Sequence, residues 1–380
     1  MRDRRERIGR KLAEIHARLR EELEGLERVA VAVYDEDTDH LTTYVHSTVG
    51  STPLEHFDAK LAEYPSLAEA AASGRPRILV YSGGAEPRSA AARKVLAAGV
   101  RSSYTLPIRD DGHLYGFLFY DSSDPEFFSP EVEHRLWIYS EMVRLLVLHA
   151  LEPVRTLSAA AKTAREFSRQ RDEETGAHLE RMSRFAHLIA LALAERRGLS
   201  DEQVELIRDL APLHDLGKVG ISDAVLLKEG PLTLEERRQM REHVAKGLEM
   251  VEVMIREFGL GSIAHIGMLR NIIGCHHESP DGSGYPAGLK GEAIPLEARI
   301  TKVADVFDAL TTDRPYKRAW PNERAFAYLK THAGRLFDVD CVDALVAARE
   351  EVETIQERFR EKETAKSENG DRPYFSHSEK

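Results

Sequence analysis

Cysteine is nearly absent: Cys275 and Cys341 are the two in 380 residues. Two thiols cannot build a disulfide framework, which fits a reducing cytoplasm. They also exclude a metal site made of several thiolates. Long hydrophobic runs are missing as well. No stretch approaches the ~20 apolar residues that cross a bilayer, so no membrane span is expected. The opening residues, Met1-Arg2-Asp3-Arg4-Arg5-Glu6-Arg7, are charged and lead into no apolar segment, so no signal peptide is read. An excess of positive charge is lacking too: 64 Asp and Glu against 53 Lys and Arg leave a net charge of −11. Such a chain does not attract a nucleic-acid polymer globally. If it handles an anionic substrate, bound cations and a few local Lys and Arg must do the attracting.

What is present is an ordinary globular composition, 42% hydrophobic, with length for two or three domains. Residues 8–27 form a charged amphipathic pattern, with Ile8, Leu12, Ile15, Leu19, Leu23 and Leu26 near helical spacing. Strands are predicted at Val29 to Tyr34, Leu41 to Val45, Arg77 to Val80, Ser102 to Ile108 and Leu114 to Tyr120. The last two form a hairpin across Asp110-Asp111-Gly112. Helices are predicted at Ser66 to Ala72, at Ser89 to Ala98, and from Pro130 onward. Pro153 is expected to break that last helix, and a second stretch runs from Thr156 to Arg171. Val154, Leu157, Ala161, Ala164 and Phe167 recur there at three to four residues. This connector either pairs with its copy in a homodimer or packs on its own domain.

From residue 172 to about 350 the pattern is helical throughout, and residues 362–380 read as a disordered polar tail. The overall expectation is α+β. A mixed α/β domain covers 1–150, a helical linker 151–171 and an all-α bundle 172–361.

The chemistry gathers in the bundle. His276-His277-Glu278 runs into the Gly-rich turn Ser279-Pro280-Asp281-Gly282-Ser283-Gly284-Tyr285-Pro286. Two tandem histidines are hard to explain as core residues, and neutral imidazole is a common metal ligand. His214-Asp215 is a second pair. On a helix its members point about 100° apart, so they could serve neighbouring metals. Leu210, Leu213 and Leu216 would be its buried face. Asp305 sits among Val303, Ala304, Val306 and Phe307, where a carboxylate needs a partner or a metal. Asp308, one turn on, could orient a ligand. Glu174 and His178 are spaced i, i+4 on one helix face, and His243 lies on a predicted helix from Glu235 to Phe258. A mixed His and carboxylate set suits Fe, Mn or Zn better than Mg or Ca.

These motifs, in order, resemble the HD-GYP phosphodiesterases of the HD superfamily: His214-Asp215-Leu216-Gly217-Lys218, His276-His277-Glu278, Asp281-Gly282-Ser283-Gly284-Tyr285-Pro286, Asp305-Val306-Phe307-Asp308-Ala309-Leu310 and Arg314-Pro315-Tyr316-Lys317. The resemblance implies hydrolysis of cyclic di-GMP to pGpG or GMP with two or three bound metals, iron or manganese. It implies the metal ligands Glu174, His178, His214, Asp215, His243, His276, His277 and Asp305, with Asp215 bridging. Glu174 is the mark of the three-metal subset. Lys218, Arg314 and Lys317 would meet substrate phosphates, while Gly284 and Tyr285 would line the pocket. Departures are Glu229-Gly230 in place of Pro-Gly, Val339 in place of proline, and extra length near Gly259-Leu260-Gly261.

The N-terminal element order is similar to a GAF domain over about residues 10–150, which implies small-ligand sensing; a spacer or dimerising module is the alternative. Without cysteine in that half, a thiol-linked bilin is excluded. For the whole chain the alternatives are a phosphodiesterase for another cyclic dinucleotide, or a receptor that binds cyclic di-GMP without cleaving it.

Overall fold

The computed structural model describes residues 7–36, 38–50, 54, 56–81, 90–168, 176–257, 266–313 and 318–368. The chain divides into two compact units, with the main change-over after Thr156. Among the described residues no helix is long and apolar enough to cross a membrane.

The first unit contains α1 (Arg7–Glu22), β1 (Leu26–Asp35), β2 (His40–Thr48), β3 (Asp58–Lys60), α2 (Pro65–Ser73), β4 (Arg77–Val80), α3 (Ala90–Ala97), β5 (Ser102–Asp110), β6 (His113–Ser122) and the start of α4 (Pro130–Ser168). The six strands form one sheet in the order β3-β2-β1-β6-β5-β4, with every neighbouring pair antiparallel. Strand alternation divides its side chains between two cores. Val29, Val31 and Val33 join Leu12 and Leu19 of α1, Leu23 just beyond it, and Leu136, Val143 and Val147 of α4. Ala32 and Phe117 instead pack with Leu67, Ala70 and Ala71 of α2. Each fully buried Leu or Phe contributes about 1.5–3 kcal/mol.

The second unit is helical: α5 (Gly176–Arg197), the part of α6 (Asp201–Leu210) from Leu206 onward, α7 (Asp223–Leu226), α8 (Leu234–Arg241), α9 (His243–Glu257), α10 (Ile266–Cys275), α11 (Leu296–Thr311), α12 (Asn322–His332), α13 (Val339–Ala347) and α14 (Arg349–Glu368). Helices α5 and α11 pack together at its centre. Phe185 meets Phe307 edge-on at 5.3 Å, and Phe307 stacks on Phe326 at 4.8 Å. At Val339 the chain does without the expected proline: Asp338 caps α13 by accepting the Cys341 N–H at 3.0 Å and pairs with Arg299 at 2.6 Å.

Three of these expectations need correction, and one strand was not foreseen. The helix from Pro130 runs through Pro153 to Ser168 instead of breaking. Proline removes one amide donor, and the turns on either side keep theirs. The helix expected from Glu235 to Phe258 is two, α8 and α9, parted at Glu242. Helix α8 buries no residue, whereas the apolar stripe Val244, Val251 and Ile255 belongs to α9. The last helix continues to Glu368, so 362–368 is not a disordered tail. Strand β3 was not anticipated; three residues are too few for alternation to register.

Candidate metal centre

His214 and Asp215 were expected on an α-helix. They lie instead between two 3-10 turns, Ala211–Leu213 and Leu216–Gly220. The tight turn has a steric reason. Gly217 is packed on α9 so closely that a Cβ would overlap the backbone of His243 and Gly247. This approach, open only to glycine, brings Asp215 and His243 together. Leu210, Leu213 and Leu216 are buried beneath them as expected.

The ring orientation of each histidine follows from its Nδ1 partner. His214 Nδ1 meets the carbonyl of Ala211 at 2.9 Å, His243 Nδ1 that of Met240 at 2.7 Å, and His276 Nδ1 that of Ile272 at 3.0 Å. A carbonyl can only accept, so each Nδ1 carries the proton and each Nε2 presents a lone pair. His178 makes the equivalent contact with a carboxylate: its Nδ1 donates to Asp308 Oδ2 at 2.6 Å. Asp308 is in turn held by Arg181, at 2.7 and 3.1 Å, and by Thr312 at 3.1 Å. This is the orienting role expected of Asp308.

The Nε2 atoms converge on Asp215 and Asp305. Asp215 Oδ2 is 3.1 Å from His214 Nε2, and Asp215 Oδ1 is 3.2 Å from His243 Nε2 and 3.6 Å from His276 Nε2. Asp305 Oδ1 lies 3.7 Å from His178 Nε2 and 3.8 Å from His214 Nε2. Asp215, His243, His276 and His277 each place a ligand atom within 4.8 Å of the others. Asp215 Oδ1 and the Nε2 atoms of His243 and His276 are buried and make no hydrogen bond. Lone pairs buried in this way are costly alone and fit a divalent cation.

The electrostatics agree with that fit. Burial pushes His277 far below the ordinary histidine range, and its neighbour His276 adds to the shift. Burial likewise lowers His243 against the opposing pull of Asp215. Both rings are therefore neutral at pH 7. Burial alone would raise Asp215, but Lys218, whose Nζ is 2.9 Å from Oδ2, and His214 hold its carboxyl well below the usual range. Asp215 is therefore ionised.

The Gly-rich loop is fixed from behind. Glu278, 1% exposed, accepts the N–H groups of Ala287 at 2.7 Å, Gly288 at 3.0 Å and Leu289 at 3.0 Å. Lys302 donates to the Glu278 carbonyl at 2.6 Å and to Ser279 Oγ at 2.7 Å; burial lowers its pKa to about 8. A Cβ on Gly284 would come within 2.5 Å of Glu278 Cα. The loop so held stacks Tyr285 on His277 at 4.5 Å, with Arg241 over the tyrosine ring at 4.6 Å. Burial and the Asp215 charge raise the Tyr285 phenol, which stays protonated.

Eight predicted residues thus share one region: His178, His214, Asp215, Lys218, His243, His276, His277 and Asp305, with Gly284 and Tyr285 on the adjoining loop. Glu174, Arg314 and Lys317 lie outside the described residues, as do Gly259-Leu260-Gly261. Sequence reasoning missed the supports Arg181, Glu278 and Lys302. Glu278 stood beside the histidine pair, but nothing there indicated that its partners were backbone amides.

An HD-domain family model matches residues 162–341 and a GAF-domain model matches residues 10–141. Among curated relatives, a cyclic di-GMP phosphodiesterase response regulator (RpfG) of Xanthomonas campestris pv. campestris is 51% identical over 189 residues, 50% of this chain and 47% of its own. A cyclic di-GMP phosphodiesterase of Vibrio cholerae is 37% identical over 243 residues, 60% of this chain and 49% of its own. A 3'3'-cGAMP-specific phosphodiesterase 2 of the same organism is 38% identical over 176 residues, 46% of this chain and 32% of its own. This chain therefore spans half or less of the length of each. It joins a GAF domain to an HD domain.

Proposed function

We propose that the chain is a metal-dependent phosphodiesterase that cleaves cyclic di-GMP to pGpG, and onward to GMP, under control of its GAF half. The observation that carries this reading is the two-sided placement of Asp215. One carboxylate oxygen faces His214, near His178 and Asp305; the other faces His243 and His276, near His277. Two ions, iron or manganese, suit those two groups of ligands, and Glu174 is proposed as a ligand to a third. Bound there, they would act as Lewis acids on phosphoryl oxygens and lower the pKa of a water to about 7.

The protein's own groups do the remainder. The Nδ1–H donors lock the imidazole rings. Lys218 sets an ammonium beside Asp215, placed to offset phosphoryl charge. Tyr285 stays neutral and offers a hydroxyl on the pocket wall. Arg314, with its planar fork, and Lys317 are proposed to grip the substrate phosphates.

The 38% identity to a relative named for 3'3'-cGAMP favours a second reading, cleavage of that dinucleotide. A homodimer is proposed through α4, where Trp137, Ile138, Met142 and Leu145 are 47–63% exposed. A monomer by light scattering at micromolar concentration would refute it. With free Cys275 and Cys341, the cytoplasm is the proposed setting.

Anaerobic purification with metal analysis, coupled to a product assay, tests the function. Fe(II)- or Mn(II)-loaded protein is expected to release pGpG or GMP, with cyclic di-GMP outcompeting cGAMP. Asp215→Ala should abolish turnover and keep the first unit folded. Absence of stoichiometric metal, or full metal loading without product from either dinucleotide, would overturn the proposal.

A further inference from the structure

The first unit holds a partly open cavity of about 530 Å³, within the ~300–1,000 Å³ range of small-molecule sites. Its walls are mainly apolar, with Phe57, Leu67, Leu79, Val95 and Phe119 among them. Arg28, Arg77, Tyr81 and Asp121 also line it. Arg28 on β1 lies opposite Asp121 on β6, and the two pair at 2.7 Å with side chains 4% and 3% exposed. That pair is neutral overall. Arg77, on β4, has different partners: Ser66 Oγ at 2.6 Å and Thr105 Oγ1 at 3.2 Å. Both are uncharged hydroxyls, so no carboxylate among the described residues pairs with it directly; Asp121, already paired with Arg28, acts on it only through its field. Glu63, the other acid on the lining, is exposed to solvent. The Nε atoms of Arg28 and Arg77 are buried and make no hydrogen bond. Tyr81, whose pKa burial and Asp121 push up to about 12, remains a neutral hydroxyl donor at pH 7.

We propose that this cavity binds a small monocarboxylic acid with an alkyl or aryl body, its carboxylate held by Arg77 with Tyr81 as a second donor. Among the described lining residues, Arg28, Arg77 and the buried Asp121 leave one guanidinium in surplus, which calls for one negative charge. A dianion such as a phosphate monoester would leave an unmatched negative charge among apolar walls, which is unfavourable. A neutral ligand would leave the guanidinium uncompensated. The body of the acid would lie between Phe57 and Phe119, and this unit would then report the level of such an acid.

Calorimetric titration of the full chain tests this with 3-phenylpropanoate and octanoate, their uncharged amides, and phenyl phosphate. At least one acid is expected to bind at least tenfold more tightly than its amide and than the phosphate. Arg77→Met should weaken that binding at least tenfold and leave metal content and the unliganded melting curve unchanged. If Arg77→Met does not fold, Tyr81→Phe decides, with severalfold weaker binding expected. The proposal is overturned if neither acid binds at millimolar concentration. Equal or tighter binding of an amide or the phosphate overturns it too, as does full affinity in the deciding variant.

Discussion

Replacing Glu278 with glutamine changes one atom of a side chain that never touches the proposed ligands, yet it should release the Tyr285 loop. The wild-type carboxylate accepts three backbone N–H groups, two on Oε1 and one on Oε2. An amide has one acceptor oxygen. In its better orientation the oxygen keeps Ala287 and Gly288, and the NH₂ is set against the N–H of Leu289, donor against donor. One charge-assisted bond, worth about 1.5–3 kcal/mol, is lost, and two others fall to neutral strength. Relief of a buried charge offsets part of this, so the net cost is about 2–4 kcal/mol. At tenfold per 1.4 kcal/mol, native-state hydrogen exchange at residues 287–289 should speed up about 30- to 700-fold. The melting temperature should fall less than a global loss of that size implies, because the loop can open locally. Unchanged protection at these three amides would refute the clamp. Faster exchange spread evenly over the whole second unit would refute its local character.

Two further outcomes follow from the same geometry. Asp308→Asn removes the charge from a buried pair with Arg181, and its single oxygen can accept from either His178 Nδ1–H or Arg181 Nε, leaving the other facing an NH₂ donor. Urea unfolding should show a loss of about 3–5 kcal/mol, and Mn(II) affinity should fall roughly 10- to 100-fold; wild-type values for both would discount the orienting role. Gly284→Ala drives a methyl into the backbone of Glu278 and Ser279, which no side-chain rotation relieves. A loss of about 1–3 kcal/mol is expected, together with reduced turnover, and an unshifted urea midpoint would count against the close approach.

Much of the fold was legible because its periodicities are strong. The valines at 29, 31 and 33 alternate, the α1 apolar residues recur at helical spacing, and both sets meet in one core. What was not legible depends on context. Pro153 reads as a helix breaker by local rules, yet the helix continues past it. The polar stretch of α8 and the apolar stripe of α9 read as one helix because charged residues tolerate either ending; the division at Glu242 is a matter of packing, since only α9 has a face to bury.

The candidate centre divides along the same line between chemistry carried by side chains and chemistry carried by the backbone. His214, His243 and His276 could be read as ligands from residue type and motif. Their tautomer could not, because the group that sets it is a main-chain carbonyl three or four residues upstream, and every position in the chain has one. The same reasoning explains Asp215. An α-helix would point it about 100° from His214; the 3-10 turn instead sets its oxygens between two groups of imidazoles, and that turn exists because Gly217 lies against α9 with no room for a side chain. Glu278 was invisible for a related reason, since its partners are amides of a loop whose path depends on Gly284 meeting the Glu278 backbone. Glycine and carboxylate therefore act as one device: Gly284 lets the loop approach, Glu278 holds it, and Tyr285 is presented to His277 as a consequence. A substitution at any of the three should move the other two, which separates this loop from a passive surface turn.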